Sequence, residues 1–532
     1  MKEDIETKQE SAVETEASEK KEAEDMPPAY DEANALTSGE PNVKIAAKNE
    51  ETKIDMGKEK EAFEGLTKEE LMKYANDPFW VRLRWILFIV FWIIWVAMLV
   101  ASIVIIIYAP KCPSPEPKDW WQKNVMYKVD VKEYADGKLN GLKDNLDLLV
   151  ESGVGTVYIT SLFQTDGTSN GVVDFKSVDS ELGSLEDWKA LVSALKDRDQ
   201  KVVIEFNPLY TSNKHMWYEE KTSGNSKYMN YYQDSSNNLN LESGDVVAEL
   251  GNVLDFWLDT GVDGFYIQKM ESLFASDRTG REDILNKFKK VLETKSEETG
   301  VSNIFLSEAG SVATKQAVKN GDISLPIYNS GLAAGSALAF KNELDNFFTS
   351  FPNTTWPGLA FNPTSSGNGF MVDAMCMLKM MLPGTPIVNS GQELGLDSWD
   401  ATEIKEQKDA IIDPKKESHL EVFSLLANKM RHQESILFGE ISKNTTFTKG
   451  DVFGLTRVKK GNPGYLLLVN FGDSEASVNV TDVKTIPDNV RLMARSVSLE
   501  QKQEAEETTR FDSDKVLMKA NEGRVFTFVP KF

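Results

Sequence analysis

The stretch GVDGFYIQKM, Gly261–Met270, decides the fold. A tight turn, Gly261 to Gly264, runs into a short apolar segment that ends in polar residues, as a buried strand does when it reaches a surface. Just before it, VAELGNVLDFWLDTG (Val247–Gly261) carries apolar residues at helical spacing. The same helix–turn–strand unit recurs outward in both directions. Upstream, NVMYKVDV (Asn124–Val131) is followed by LKDNLDLLVESG (Leu142–Gly153). GVGTVYITSLF (Gly153–Phe163) is followed by LEDWKALVSALKDRD (Leu185–Asp199), and KVVIEF (Lys201–Phe206) comes next. Downstream, NIFLSEA (Asn303–Ala309), LPIYNSG (Leu325–Gly331) and GTPIVNSG (Gly384–Gly391) alternate with helices. This alternation predicts a parallel β/α architecture, and a closed (β/α)8 TIM barrel over residues 120–433 is its natural count. Beyond the helix around Glu417–Met430 the pattern changes. DVFGLTRV, GYLLLVNF, SEASVNV, VRLMARSVS and GRVFTFV read as strands between turns, a C-terminal antiparallel β-sandwich over residues 434–532.

The amino-terminal side has a different character. Residues 1–60 are rich in Glu, Lys, Ala and Thr and nearly lack aromatics. Such a tail cannot bury enough apolar surface to offset its ordering entropy, so it is expected to be disordered. Pro27, Pro28 and Tyr30 in PPAY match the Pro-Pro-x-Tyr ligand of WW domains, against a chance match in a Pro-containing tail. LTKEELMKYA (Leu66–Ala75) has helical spacing, with Thr67 as N-cap and Glu70 as its capping-box partner, within a juxtamembrane segment 61–84. Then WILFIVFWIIWVAMLVASIVIIIY, Trp85–Tyr108, is uncharged and long enough to span a bilayer. It starts too late for a cleaved signal peptide. Arg82 and Arg84 abut it on one side and favour a cytoplasmic N-terminus. The expectation is a single-pass type II membrane protein with its C-terminal domain outside.

The sequons agree with that orientation. Asn353, Asn444 and Asn479 each open an Asn-x-Ser/Thr triplet, and all follow the span. The neck APKCPSPEP, Ala109–Pro117, holds four prolines, which forbid a helix and favour a stiff extended chain. It carries Cys112. The other cysteine, Cys376, lies in the apolar helical run DAMCMLKMML and reads as core. Cys112 is therefore read as the donor of an intermolecular disulfide, with a free or palmitoylated thiol as the alternative. The formal net charge of −24 argues against nucleic acid as a partner. Two cysteines and three widely spaced histidines give no metal-ligand spacing, and no cofactor motif is present.

The barrel segments, including YKVDVKEYADG, ELGSLEDWKALVSALKDRDQKVVIEF, GVDGFYIQ, NIFLSEAG and LPGTPIVNSGQELGL, resemble the α-amylase superfamily over Trp120–Phe532. The resemblance implies a catalytic-type barrel followed by a β-sandwich. The connection between KVVIEF and GVDGFYIQ is short, which implies the fold lacks the inserted B domain that usually walls the cleft. It also marks site positions. Glu205 replaces the Asp that ends the third strand, and Leu209 and Tyr210 stand where sugar-holding Asn and His are expected. Tyr266 replaces the orienting Arg, and Gln268 replaces the Asp nucleophile. Glu308 sits at the general-acid position, and no Asp or Glu lies between Asn346 and Val372 to supply the last carboxylate. A retaining glycosidase needs two carboxylates, one to protonate the leaving oxygen and one to attack. A neutral amide does neither. Asp263 and Glu271, the nearest acids in sequence, are offset along the strand and do not occupy the same position.

The membrane-proximal text LTKEELMKYANDPFWVRLRW, the apolar span, IVIIIYAPKC and KDWWQKNVMYKV resemble the heavy subunits of heteromeric amino-acid transporters, of the 4F2 cell-surface antigen heavy chain type. That resemblance implies a non-catalytic heavy (ancillary) subunit at the plasma membrane. It implies that Cys112 bonds to a multi-pass permease light chain, whose assembly and delivery the heavy chain supports. Ala97 and Ala101, small residues four apart, are helix-packing candidates in that plan, ordinary lipid-facing alanine being the plainer reading. TSNKHMW departs toward the glucosidase-like type of heavy chain. The alternatives are a membrane-anchored α-glucosidase-like enzyme and a cell-surface adhesion or signalling receptor.

Overall fold

The computed structural model describes residues 68–109 and 115–531, apart from segments 168–170, 234–235, 271–280, 309, 311, 330–335, 351–354, 362–368, 397–417, 440–444 and 498–508. It divides into two units, Met1–Lys111 and Cys112–Phe532. In the first, α1 (Lys68–Ala75) precedes α2 (Pro78–Tyr108). The proposed N-cap Thr67 lies outside the described residues. α2 begins at Pro78, so it joins the last residues of the expected juxtamembrane segment 61–84 to the expected span Trp85–Tyr108. Asp77 caps it, accepting from the Phe79 amide at 3.0 Å, and Pro78 occupies the first turn, where its missing N–H is no loss. Hydropathy marks only the apolar stretch; the cap sets the start. Arg82 and Arg84 are thus part of α2. Its 18-residue window of mean hydropathy 3.0 makes it long and apolar enough to cross a bilayer. Its hydroxyl at Ser102 is satisfied within the helix, donating to the Met98 carbonyl at 2.8 Å.

The second unit opens with β1 (Val125–Asp130) and β2 (Val154–Thr160). A hairpin of β3 (Phe163–Thr165) and β4 (Val172–Val178) follows, then β5 (Lys201–Phe206), β6 (Gly264–Ile267), β7 (Ile304–Glu308), β8 (Leu325–Tyr328), β9 (Gly358–Leu359) and β10 (Thr385–Asn389). The eight strands other than the hairpin form the expected closed barrel, each parallel to its neighbours. β10 returns to β1 with Met126 opposite Ile387 and Lys128 opposite Asn389. Strand alternation sorts the side chains. Met126, Tyr158, Val203, Ile304, Leu306, Leu325, Ile327 and Ile387 fill the interior. Their sequence neighbours Tyr127, Val157, Ile204, Phe265 and Phe305 face the surrounding helices.

Those helices form where apolar residues recur every three to four positions. Leu185–Lys196 buries Trp188, Leu191, Val192 and Leu195, and Ser184 with Asp187 closes a capping box at its start. Gly244–Asp259 buries Val246, Leu250, Val253, Leu254 and Trp257, and the Trp257 indole donates to the Phe175 carbonyl at 2.7 Å. Between β5 and β6 the described residues hold only a short helix (Met216–Thr222), a 3-10 turn (Ser226–Tyr231) and this barrel helix.

The C-terminal strands are β11 (Thr446–Lys449), β12 (Val452–Arg457), β13 (Gly464–Asn470), β14 (Ala476–Val478), β15 (Asn489–Arg495), β16 (Arg510–Asp512), β17 (Val516–Met518) and β18 (Gly523–Phe528). Six make one sheet in the order β11-β12-β13-β18-β15-β16, and β14 pairs with β17 in a second. Leu466, Leu468, Phe526, Val478, Val516 and Met518 form the core between the two sheets, which is the expected sandwich with one narrow layer. Tyr465, Leu467, Val469 and Val525 face the other way, into the cluster that includes Met377 and Leu378 of helix Gly369–Met381.

Candidate functional site

Alternation also fixes what reaches the C-terminal mouth of the barrel, where the loops after the strands gather. On β6, Phe265 and Ile267 point outward, so Gly264, Tyr266 and the following Gln268 point in. On β5, Ile204 and Phe206 point outward, so Glu205 points in. Glu205 pairs in register with Tyr266. The degenerate positions singled out in the sequence therefore meet.

Glu205 and Gln268 are joined in one hydrogen-bond chain. The Gln268 amide nitrogen donates to Glu205 Oε2 at 2.8 Å, and the Tyr158 hydroxyl donates to Glu205 Oε1 at 2.8 Å. Asn207 Nδ2 donates to Gln268 Oε1 at 3.2 Å, while Asn207 Oδ1 accepts from the Leu209 amide at 3.0 Å. Both ends of the Gln268 amide are committed. Burial, then the Glu205 charge, holds the Tyr158 phenol well above its ordinary range, so it stays a donor. Tyr266 lies 5.6 Å from the Tyr158 ring, and burial followed by the Glu308 charge pushes its phenol up as well. Glu308, exposed at the end of β7, accepts from Asn329 Nδ2 at 3.2 Å. Tyr210 stands at the rim with Lys269 Nζ 5.1 Å from its ring centroid. Lys269 itself takes a left-handed backbone (φ 49°) as the chain leaves Gln268.

Asp263 sits at the opposite end of β6. Its carboxylate accepts from the Val202 amide at 3.0 Å and lies 3.7 Å from Lys201, and burial raises its pKa. It staples the start of the strand and is remote from Gln268. Glu271 lies outside the described residues. Alternation applied to β2, β5 and the loop after β8 is the signal that finds Tyr158, Asn207 and Asn329, the three partners that motif matching passed over.

The remaining candidates are scattered. Asn479 is exposed, and its Oδ1 accepts from the Thr481 amide at 2.9 Å and the Thr481 hydroxyl at 2.7 Å. Cys376 is buried, its thiol pushed up to about 12 by burial, as a core cysteine is expected to be. Ala97 and Ala101 share one face of α2 with Trp85, Phe88, Trp92 and Val104. Cys112, Asn353, Asn444, Pro27, Pro28 and Tyr30 lie outside the described residues.

The closed eight-stranded parallel barrel followed by antiparallel strands is a fold of the α-amylase type, and among the described residues one helix is long and apolar enough to cross a bilayer. Two family models match in succession: the solute carrier family 3 member 2 N-terminus over residues 51–127 and the α-amylase catalytic domain over residues 118–238. Curated relatives that match over most of the chain are amino acid transporter heavy chains. It is 24% identical to heavy chain SLC3A2 of Mus musculus, a match covering 93% of this chain and 94% of that one. It is 26% identical to heavy chain SLC3A1 of Homo sapiens, covering 65% of this chain and 64% of that one. Oligo-1,6-glucosidase of Bacillus cereus is 22% identical over 55% of this chain and 69% of its own. Among solved structures, trehalose-6-phosphate hydrolase of Bacillus licheniformis superposes with a TM-score of 0.62 at 16% identity, covering 77% of this chain and all of that one, a likeness of fold.

Proposed function

We propose that the chain is a non-catalytic heavy subunit that pairs with a multi-pass amino-acid permease and supports its assembly, stability and delivery to the plasma membrane. One observation carries the non-catalytic part: the group at the nucleophile position is an amide whose nitrogen and oxygen are both spent, on Glu205 and Asn207. An amide held this way is not free to attack an anomeric carbon and has no charge with which to stabilise an oxocarbenium ion. Tyr266 stands in place of the orienting Arg, and Glu308 is an acid without a nucleophilic partner. At the mouth Glu205, Gln268 and Asn207 are spent on one another.

The ancillary part rests on likeness to heavy chains that carry "amino acid transporter" in their names and on a helix able to span a bilayer. In this reading α2 crosses the membrane with the tail inside and the barrel outside. Ala97 and Ala101 lie on its contact face toward the permease, and Cys112 forms the disulfide to it. The PPAY motif recruits a WW-domain protein in the cytoplasm, and Asn353, Asn444 and Asn479 are glycosylated.

Electrophoresis of native membranes with and without reductant tests the pairing. The wild type is expected to run as a larger band that collapses on reduction, and Cys112→Ser to lack that band. A single band unchanged by reductant in the wild type would sink the covalent link.

A further inference from the structure

Two buried cations show how this fold satisfies such groups. Arg524 meets Glu522 at 2.9 Å, and Lys379 donates to the Ile387 carbonyl and to Gln392, both at 3.0 Å. Arg431 and Arg457 differ. Arg431, 0% exposed, donates through Nη2 to the carbonyls of Gln122 and Gly384 and through Nη1 to that of Met380, but its Nε has no partner. Arg457, 1% exposed at the end of β12, donates through Nη2 to the Ile436 carbonyl, and its Nε and Nη1 have none. Neither guanidinium has a carboxylate partner among the described residues. A third cation joins them. Lys118, half-buried where the chain enters the barrel unit, lies 4.2 Å from the Trp356 ring centroid, and the Arg431 guanidinium lies 5.6 Å from the same ring.

Lys118 also lies 5.6 Å from the Phe438 ring centroid, two residues on from Ile436, whose carbonyl Arg457 holds, so the three positive groups share one neighbourhood. Burial and then the Arg457 charge bring Arg431 down to about 9, and burial, Arg431 and Arg457 lower Lys118 in turn. Carbonyl dipoles satisfy part of Arg431 but do not neutralise it. A buried guanidinium without a counter-charge is among the most costly arrangements a fold can hold, and unpaired buried N–H groups add to that cost. A group that complements them is negative and accepts from the free N–H groups of the two guanidiniums. Guanidinium donors suit both halides and tetrahedral oxyanions.

We propose that Lys118, Arg431 and Arg457 form a buried site for a small inorganic anion, held by the unpartnered Nε and Nη1 of Arg457 and Nε of Arg431, with Lys118 on the solvent side. The site belongs to the N-terminal end of the barrel and its seam with the C-terminal strands: Arg431 reaches Gln122 and Gly384 beside β10, and Arg457 ends β12. Its role is to complete the fold at that seam, away from the mouth.

The test is thermal unfolding of the full-length chain in detergent, in sodium gluconate, chloride or sulfate at matched ionic strength. Gluconate, the bulkiest of the three anions, serves as the reference. In the wild type, chloride or sulfate is expected to raise the midpoint over gluconate in a saturable way, as a ligand specific to the folded state does. Which of the two acts at the lower concentration separates a halide site from an oxyanion site. Arg457→Met, close in volume, is expected to lose the increment. Lys118→Met, at a half-exposed position that tolerates change, is expected to move saturation to higher anion concentration. Equal increments in the wild type and both variants, or the same midpoint in all three salts for the wild type, would overturn the proposal.

Discussion

Replacing Gln268 by Glu tests the hydrogen-bond chain at the mouth most directly, because it changes one nitrogen to oxygen with almost no change of shape. In the native chain that nitrogen donates to Glu205 Oε2 at 2.8 Å. In Gln268→Glu two carboxylates face each other at the same separation. Their repulsion is about 1.5 kcal/mol at the dielectric of water and about 6 kcal/mol at an effective dielectric of 20. The mouth is half-buried, so the penalty lies between, about 3 kcal/mol, with about 1 kcal/mol more for the lost hydrogen bond. The sign with pH follows from proton sharing. The folded pair holds a proton more tightly than a free Glu, whose pKa is about 4.3, so its effective pKa is raised. Stability lost to repulsion is therefore small at and below pH about 4.3 and grows as pH rises through the raised value. Urea unfolding at pH 5 and pH 8 reads this. The deficit of Gln268→Glu against wild type is expected to be several-fold larger at pH 8. An equal deficit at both values, or none at pH 8, would refute the hydrogen-bond chain as described. The same variant is expected to show no turnover of aryl glucosides, since Tyr266 is unchanged and no Asp or Glu lies between Asn346 and Val372.

Two further outcomes are expected elsewhere. His215 is held down to about 4 by burial among Phe175 and Trp217, and its Nδ1 accepts from the Trp217 amide at 3.1 Å. Between the ordinary His value of about 6.5 and about 4, the unfolded chain binds a proton that the folded chain does not, so stability falls as pH drops, by up to about 1.4 kcal/mol per unit. His215→Asn keeps the capping acceptor and should flatten that part of the stability–pH curve; an unchanged slope would assign it to other groups. At Asn479, Asn479→Gln and Thr481→Ala are each expected to remove one glycan step on electrophoresis of protein made in a secretory cell. Mobility unchanged in both would mean the sequon is unused.

Much of the architecture was legible because barrel strands announce themselves twice, as apolar runs and as partners of amphipathic helices. NVMYKVDV, KVVIEF and GVDGFYIQ each became a strand. Legibility ended where a feature depends on contacts between segments distant in sequence. Tyr158 lay inside a quoted strand, but nothing local marks its reach to Glu205, 47 positions on. The β3–β4 hairpin is too short and too mixed in polarity to stand out. Arg457 sits in DVFGLTRV where alternation would allow either face, and only packing reveals that both sheet faces are covered there. The start of α2 is set by the Asp77 cap and Pro78, which hydropathy does not report. At the mouth, the replaced residues were visible one by one; that Gln268 braces Glu205 required the barrel to bring β5 beside β6.

One strand carries a consequence of a different kind. β13 sends Leu466 and Leu468 into the sandwich core and Tyr465, Leu467 and Val469 into the barrel's helical layer. Asp373 of helix Gly369–Met381 ties the same region by accepting from the Val497 amide at 2.8 Å. A wall shared by two rooms cannot be removed from one of them. The barrel and the C-terminal strands are therefore not interchangeable modules: recombination that swaps either alone for a relative's copy must also transplant the matching face, and a chain cut at residue 434 leaves an apolar surface with nothing to cover it.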